Sequence, residues 1–203
     1  GANCKFSDGT KRKAGTIGHV ASTSFFPSKN LGCYGDGGAI FTNDDALAHK
    51  IRGIVNHGMY VRYHHDVVGV NSRLDSIQAA VLDAKLPFLD QYNQARQDAA
   101  RKYSKAFEGH ANIVAPTICD ICDCHVFHQY TLRITNGKRD QLMEHLQSKD
   151  IPCAICWKSY GLIRICPRIS CSRTSEIHCC CLCLITSYLV CRINDSRSWI
   201  HND

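Results

Sequence analysis

The sequence predicts an α/β chain whose second part is a smaller α+β lobe. Three observations carry that expectation. An apolar strand candidate at residues 39–42 runs at once into an amphipathic helix, a long helical stretch extends from Leu74 to Gly109, and residues 126–155 read as strand, helix, strand. Composition agrees, since 203 residues with 44% hydrophobic and 21% charged side chains is ordinary globular usage for one domain, or one and a part. That usage excludes disorder, and without any repeating period it excludes fibrous structure. A net charge of +6 without a dense basic stripe gives no argument for nucleic acid. The longest apolar-looking run, Cys179 to Cys191, is 13 residues, against the roughly 20 a membrane-spanning helix needs. The chain opens without Met, a basic leader or a signal-type apolar run, so it reads as cytoplasmic with its true start upstream.

Taken in order, Ser7-Asp8-Gly9 is a turn signal and Ser22–Phe26 a short strand. Glycine-rich sequence from Gly32 to Gly38 leads into the strand Ala39–Thr42, and Asn43 or Asp44 caps the next helix. Leu47, Ile51, Ile54 and Val55 keep helical spacing, and Gly58 sits where a terminating glycine belongs. A loop holds Arg62, Tyr63, His64 and His65. Beyond it Leu74, Ile77, Val81, Phe88, Tyr92, Tyr103 and Phe107 form one stripe, with a kink or break expected at Pro87. A domain boundary is expected inside this stretch. Val126, His128, Tyr130, Leu132 and Ile134 alternate as a strand does, residues 138–149 form an amphipathic helix, and Ile151–Ile155 a further strand.

Cysteine use is uneven. Of 14 cysteines, five lie in residues 1–152 and nine in residues 153–203. No helical or strand period persists through residues 156–203, which read as the translation of a shifted frame. A Cys/His metal tail built on His178, Cys179, Cys181, Cys183 and Cys191 is the alternative.

The chemistry-bearing run is Thr23-Ser24-Phe25-Phe26-Pro27-Ser28-Lys29-Asn30-Leu31-Gly32-Cys33-Tyr34-Gly35-Asp36-Gly37-Gly38. A lysine just past a strand, between serines and ahead of glycines, suits a Schiff-base nucleophile beside a phosphate site. Taken alone, an exposed lysine in a glycine-rich hairpin is the commoner meaning. His64 and His65 read more readily as a solvated pair than as metal or sugar ligands, and Gln78, Ala79 and Ala80 as helix packing. Cys119-x-x-Cys122-x-Cys124-His125 has the look of a zinc knuckle but lacks a second ligand pair at suitable spacing, so no metal site is expected there.

The runs SFFPSKNLGCYGDGGAIFTNDD and HDVVGVNSRLDSIQAAVL closely resemble the DegT/DnrJ/EryC1/StrS family of pyridoxal-phosphate sugar aminotransferases. The resemblance covers roughly residues 5–155, and its wording is most similar to enzymes that aminate UDP-linked 3-oxo-glucuronic acid derivatives. It implies a fold type I transferase. Residues 1–100 would be the C-terminal part of the large cofactor-binding domain, 101–155 part of the small α+β domain, and 156–203 a Cys-rich tail foreign to the family. The implied cofactor is pyridoxal 5'-phosphate, the implied partners are a nucleotide-sugar substrate, an amino donor such as glutamate and a second copy of the chain, and no nucleic acid or membrane is implied.

By the same resemblance Lys29 matches the lysine that bonds to the cofactor and later shuttles a proton. Ser24 matches the hydroxyl on the cofactor phosphate, and Asn71 an asparagine reaching that phosphate from the neighbouring subunit. His65 and Arg73 match positions on the substrate side, while Gly35, Gly37 and Gly38 shape the turn beneath the lysine. Two departures stand out: after the strand ending at Ile155 the family's aromatic, proline and histidine segment is replaced by Cys156-Trp157-Lys158-Ser159-Tyr160, and the N-terminal cofactor residues are absent, which points to a fragment. The family's aspartate on the pyridinium nitrogen lies upstream of the lysine, and none of the 28 residues before Lys29 forms its motif, Asp8 being a poor substitute. The stacking aromatic and the glycine-rich phosphate turn are missing too. The related sugar dehydratases are the runner-up, but they carry histidine at the lysine position, and Lys29 argues against them.

Overall fold

The computed structural model describes residues 2–118, 125–157, 162–165 and 189–192. The chain divides into two compact units, Gly1–Leu89 with Cys180–Asp203, and Asp90–Cys179. The Cys119–Cys124 cluster and His178, Cys179, Cys181 and Cys183 lie outside the described residues, as does most of the expected foreign tail.

The first unit opens on the hairpin of β1 (Asn3–Lys5) and β2 (Lys11–Lys13), turned at Ser7-Asp8-Gly9. Gly9 has φ +82°, and Asp8 Oδ1 accepts from the Thr10 backbone N–H at 2.9 Å and its hydroxyl at 2.7 Å. These hydrogen bonds, the hydroxyl's first, hold the Asp8 carboxyl below its usual value. β3 (Val20–Ser24) then pairs antiparallel with β4 (Gly38–Thr42), Ser24 facing Gly38. The strand leaves the ladder earlier than the expected Phe26, because the Phe25 carbonyl accepts from Cys33 N–H rather than from β4.

α1 (Asp45–Val55) starts at Asp44, whose Oδ1 accepts from Leu47 N–H at 3.0 Å. At its other end the left-handed residue directly after the cap is His57 (φ +62°), not a glycine. Gly58 (φ +78°) follows, its N–H reaching the Gly53 carbonyl at 2.8 Å. The expected loop 62–65 is tighter than a loop. β5 (Met59–Val61) and β6 (His64–His65) pair antiparallel around Tyr63 at φ +68°. α2 (Ser76–Lys85) is capped by Asp75 and is followed by a single 3-10 turn, Leu86–Phe88, containing Pro87, before α3 (Leu89–Ala106). The break at Pro87 follows from its missing N–H.

Phe25, Cys33, Ala39, Leu74 and Leu82 form the first unit's buried cluster, with Leu31, Phe41, Ala79 and Val81 against it. Ile77 does not join its expected stripe and is 70% exposed. Leu74 precedes the helix and so does not set its phase. The inward face of α2 runs instead through Gln78, Leu82 and Lys85, at i, i+4 and i+7.

In the second unit β7 (Ile113–Val114), β8 (Tyr130–Ile134), α4 (Arg139–Ser148), β9 (Cys153–Trp157) and β10 (Leu162–Ile165) follow in sequence. The sheet order is β7-β8-β10-β9, antiparallel throughout. Its core is Ala100, Phe127, Tyr130, Leu132, Ile134, Ile163 and Ile165. The alternation expected from Val126 becomes a strand only at Tyr130. Phe127 is buried at φ +40°, and Arg96 Nη1 donates to the Phe127 and His128 carbonyls at 3.3 and 3.2 Å, keeping both out of the ladder. Regular structure was expected to end near Ile155. It continues through Trp157 and takes in β10 as an inner strand, because Ile163 and Ile165, two apart, bury one face together. β11 (Leu189–Arg192) belongs to the first unit, where it runs parallel along β4 with Val190 facing Ile40.

Tyr130 is buried in the second unit's core and its hydroxyl meets Ser104 Oγ at 2.9 Å. Burial pushes its phenol above the ordinary value, with the Ser104 hydrogen bond opposing. The raised value belongs to the folded state, so this contribution to stability is whole below about pH 10 and is lost as pH rises beyond it. Tyr130→Phe is expected to cost about 1 kcal/mol at neutral pH and to remove that alkaline loss, as read from urea unfolding at pH 7 and above pH 10.

Candidate active site

The connection from β3 to β4 is built by backbone hydrogen bonds that fold it back on itself. Phe25 N–H donates to the Gly37 carbonyl at 2.7 Å, and the Phe25 carbonyl accepts from Cys33 N–H at 2.8 Å and from Cys33 Sγ at 3.0 Å. Within it Phe26–Lys29 closes a turn, with Pro27 pre-setting the second position and Lys29 N–H donating to the Phe26 carbonyl at 2.8 Å. Gly32 packs directly under that turn. A Cβ there would lie 2.5 Å from the Pro27 carbonyl oxygen and 2.9 Å from that of Phe26. Gly37 is similarly confined by Leu74 and Cys33, while Gly35 has ordinary clearance to Gln78.

Ser24 therefore ends β3 and Lys29 stands in the connection that follows, both half-buried. Ser24 Oγ accepts from Phe26 N–H at 3.2 Å, which leaves the hydroxyl proton available to an acceptor. The Lys29 amine makes no hydrogen bond or ion pair with any described residue.

His65, Asn71 and Arg73 lie on a second segment, strapped across the end of α1. Val70 N–H donates to the Ile54 carbonyl at 2.8 Å and Ser72 N–H to that of Val55 at 2.9 Å, supplying donors to carbonyls the helix cannot satisfy. His57 N–H returns to Val70 at 3.0 Å, and Asn56 and Asn71 form an antiparallel bridge. Two glycines permit this approach: a Cβ on Gly58 would collide with the Val67 carbonyl, and one on Gly69 with Gly58 N and the Ile54 carbonyl. Beyond the strap the extended chain alternates. Ser72 and Leu74 are buried while Asn71 and Arg73 are exposed, without hydrogen-bond or ion-pair partners for their side chains among the described residues. His65 Nδ1 lies 2.9 Å from the His57 carbonyl. A carbonyl only accepts, so Nδ1 is the nitrogen that donates here.

Leu74 links the two segments, since it follows Arg73 and packs against Gly37 of the lysine loop. Asn71 itself does not reach Ser24 or Lys29 of the same chain by any hydrogen bond. Asp8 has its carboxylate engaged by Thr10 at an exposed hairpin tip. Among the described residues no group of three or more His, Cys, Asp or Glu could hold a metal, and no helix is long and apolar enough to cross a membrane.

Gln78, expected only to pack its helix, and Lys85, not singled out in the sequence, hold the lysine loop. Gln78 Oε1 accepts from Tyr34 N–H at 2.8 Å, and Lys85 Nζ donates to the Gly32 carbonyl at 2.7 Å. The only sequence signal for them is their seven-residue separation, which places both on one helix face.

Lys29 thus stands on a glycine-backed turn between β3 and β4, in the connection that leaves the ladder just after the Ser24 hydroxyl. The pattern of the DegT/DnrJ/EryC1/StrS aminotransferase family matches residues 2–166, past the Ile155 limit of the sequence resemblance, and the chain belongs to that family. It carries that family's fold type I α/β architecture. It is 48% identical over 139 residues to a "Pleiotropic regulatory protein" of Geobacillus stearothermophilus, covering 68% of this chain and 37% of the relative. It is 46% identical over 144 residues to the UDP-2-acetamido-2-deoxy-3-oxo-D-glucuronate aminotransferase of Pseudomonas aeruginosa, covering 71% and 39%. Among solved structures it is similar to S. venezuelae DesV in complex with ketimine intermediate, with TM-score 0.65 and 39% identity over 71% of this chain and 38% of that one. The chain thus spans about two fifths of the length of the curated relatives it matches.

The strap yields a direct expectation. Gly69→Ala forces Cβ into the α1 terminus, so it is expected to lower stability by about 1–3 kcal/mol, read by thermal unfolding. Amide exchange should quicken at Val70 and Ser72, whose donors the strap places on α1.

Proposed function

We propose that this chain is part of a pyridoxal 5'-phosphate-dependent aminotransferase. It would deliver an amino group from a donor such as glutamate to a nucleotide-linked ketosugar, in amino-sugar or cell-surface polysaccharide biosynthesis. The carrying observation is the Lys29 turn, a half-buried amine uncommitted to any described residue and held over Gly32. The residues fit the cofactor by their chemistry, because Ser24 has a hydroxyl proton to give a phosphate and Lys29 a free amine to give an aldehyde. When bound, the cofactor supplies the electron sink that lets an amino group leave one carbon and join another.

In this reading Lys29 Nζ holds the cofactor and carries the proton moved during transfer. Ser24 Oγ donates to the cofactor phosphate. Asn71, exposed and without an internal hydrogen bond, serves the same phosphate in a second copy of the chain, so the working form is a homodimer. Arg73 and His65 face the substrate. Residues 1–100 form the C-terminal part of the cofactor-binding domain and 101–155 part of the small domain, in a cytoplasmic enzyme. The Pseudomonas aeruginosa relative favours a UDP-linked 3-oxo-glucuronic acid derivative as the ketosugar.

The test is transfer of an amino group from glutamate to UDP-2-acetamido-2-deoxy-3-oxo-D-glucuronate by the full-length protein that contains this chain. Lys29→Ala is expected to lower the rate by at least about 10²–10⁴-fold, the range for losing a positioned proton carrier. Equal rates from the wild type and Lys29→Ala would overturn the assignment.

A further inference from the structure

We infer that α2 sets the position of Lys29 through two positioning residues, Gln78 and Lys85, which fasten the lysine loop from below. The inference rests on the reading of Lys29 given above, and goes beyond it to a control of its placement.

Three consecutive loop residues are fixed by three separate donors or acceptors. The Gly32 carbonyl takes the Lys85 ammonium at 2.7 Å, the Cys33 N–H goes to the Phe25 carbonyl at 2.8 Å, and the Tyr34 N–H goes to Gln78 Oε1 at 2.8 Å. Cys33, the middle one, is completely buried. The Lys85 contact is a charge-assisted hydrogen bond, of the stronger kind. The same ammonium lies 4.6 Å from the centroid of the Tyr34 ring, so a flexible side chain is held at both a carbonyl and an aromatic face. Tyr34 is 75% exposed, and its ring gains little from burial. Its contact with Lys85 gives that ring a structural use.

The link from Gly32 to Lys29 is steric. Gly32 lies so close to the Pro27 and Phe26 carbonyls that no Cβ fits between them, and those two residues open the turn that Lys29 closes. Displacing Gly32 therefore displaces the turn. A lysine amine must be held close to its productive position, because a misplacement of about 1 Å, even one caused far from the chemistry, costs about 10²-fold in rate. Gln78 and Lys85 stand two helical turns apart on one face, so the loop is fixed in angle as well as in position.

The experiment uses the full-length protein with Lys85→Met, Lys85→Arg, Gln78→Leu and Gln78→Glu. Lys85→Met keeps the stem but loses the donor, and is expected to lower kcat about tenfold with the KM for the nucleotide sugar nearly unchanged. Lys85→Arg, which still donates and still covers the ring, should recover most of that loss. In the cofactor-free protein, Gln78→Leu should speed Tyr34 amide exchange about tenfold, whereas Gln78→Glu, which keeps an acceptor oxygen, should not. Acylation of Lys29 by a small amine reagent should change several-fold in Lys85→Met while exposed Lys50 does not. Wild-type kcat and wild-type Lys29 acylation in Lys85→Met would overturn the inference, as would Lys85→Arg being as impaired as Lys85→Met. Should Lys29→Ala retain full activity, the aminotransferase reading falls instead, and the exchange and acylation results still decide the positioning role on their own.

Discussion

Phe25 is the residue at which β3 stops being an ordinary strand. Its N–H stays on the ladder by donating to Gly37 at 2.7 Å, while its carbonyl turns inward to Cys33 N–H at 2.8 Å and Sγ at 3.0 Å. Its ring is 4% exposed, packed with Leu74, Leu82 and Ala39. A buried carbonyl left without a donor costs a kilocalorie or more, about 1–3 kcal/mol, so the Cys33 contact is needed once Phe25 is buried. That requirement forces residues 26–36 to double back. Everything proposed for the site follows from it, since Ser24 precedes the doubled loop, Lys29 stands within it and Gly32 is pressed beneath the turn that Lys29 closes.

The same accounting explains the strap. A helix leaves its last carbonyls unsatisfied, and α1 solves this with backbone donors from Gly58, Val70 and Ser72 instead of solvent alone. The approach is close enough to demand glycine on both sides, at Gly58 and Gly69. One consequence is directional. With Ser72 and Leu74 drawn inward, the alternation of extended backbone turns Asn71 and Arg73 outward. The exposure of Asn71 is thus dictated by the burial of its neighbours.

Features set by local chemistry were legible in the sequence. Asp44 and the Leu47–Ile51–Ile54–Val55 spacing mark α1, Pro87 marks the break between α2 and α3, and the lysine run marks the loop. Features set by tertiary competition were not. Ile77 belongs by spacing to a stripe with Leu74, yet Asp75 caps the helix one residue later and rotates that position to the surface. Val126 and His128 belong by alternation to β8, yet Arg96 takes the Phe127 and His128 carbonyls and the strand begins only at Tyr130. β10 has only four residues and follows cysteine-rich sequence, so its period is too short to read, although Ile163 and Ile165 are core. Lys85 was invisible for a different reason: a lysine in the last turn of a helix is already explained by the helix dipole.

Charge completes the physical picture of the first unit. Lys85 spends its ammonium on a carbonyl and a ring, neither of which neutralises it, and Lys29 and Arg73 have no carboxylate partner among the described residues. The ion pairs Arg101–Asp98 at 2.6 Å and Arg139–Asp140 at 2.7 Å lie in the second unit. A protein carboxylate paired with the Lys29 amine would repel any ligand bearing phosphate. Asp36, the one carboxylate in the loop that carries Lys29, is exposed and makes no ion pair with it, so the loop leaves the amine uncommitted.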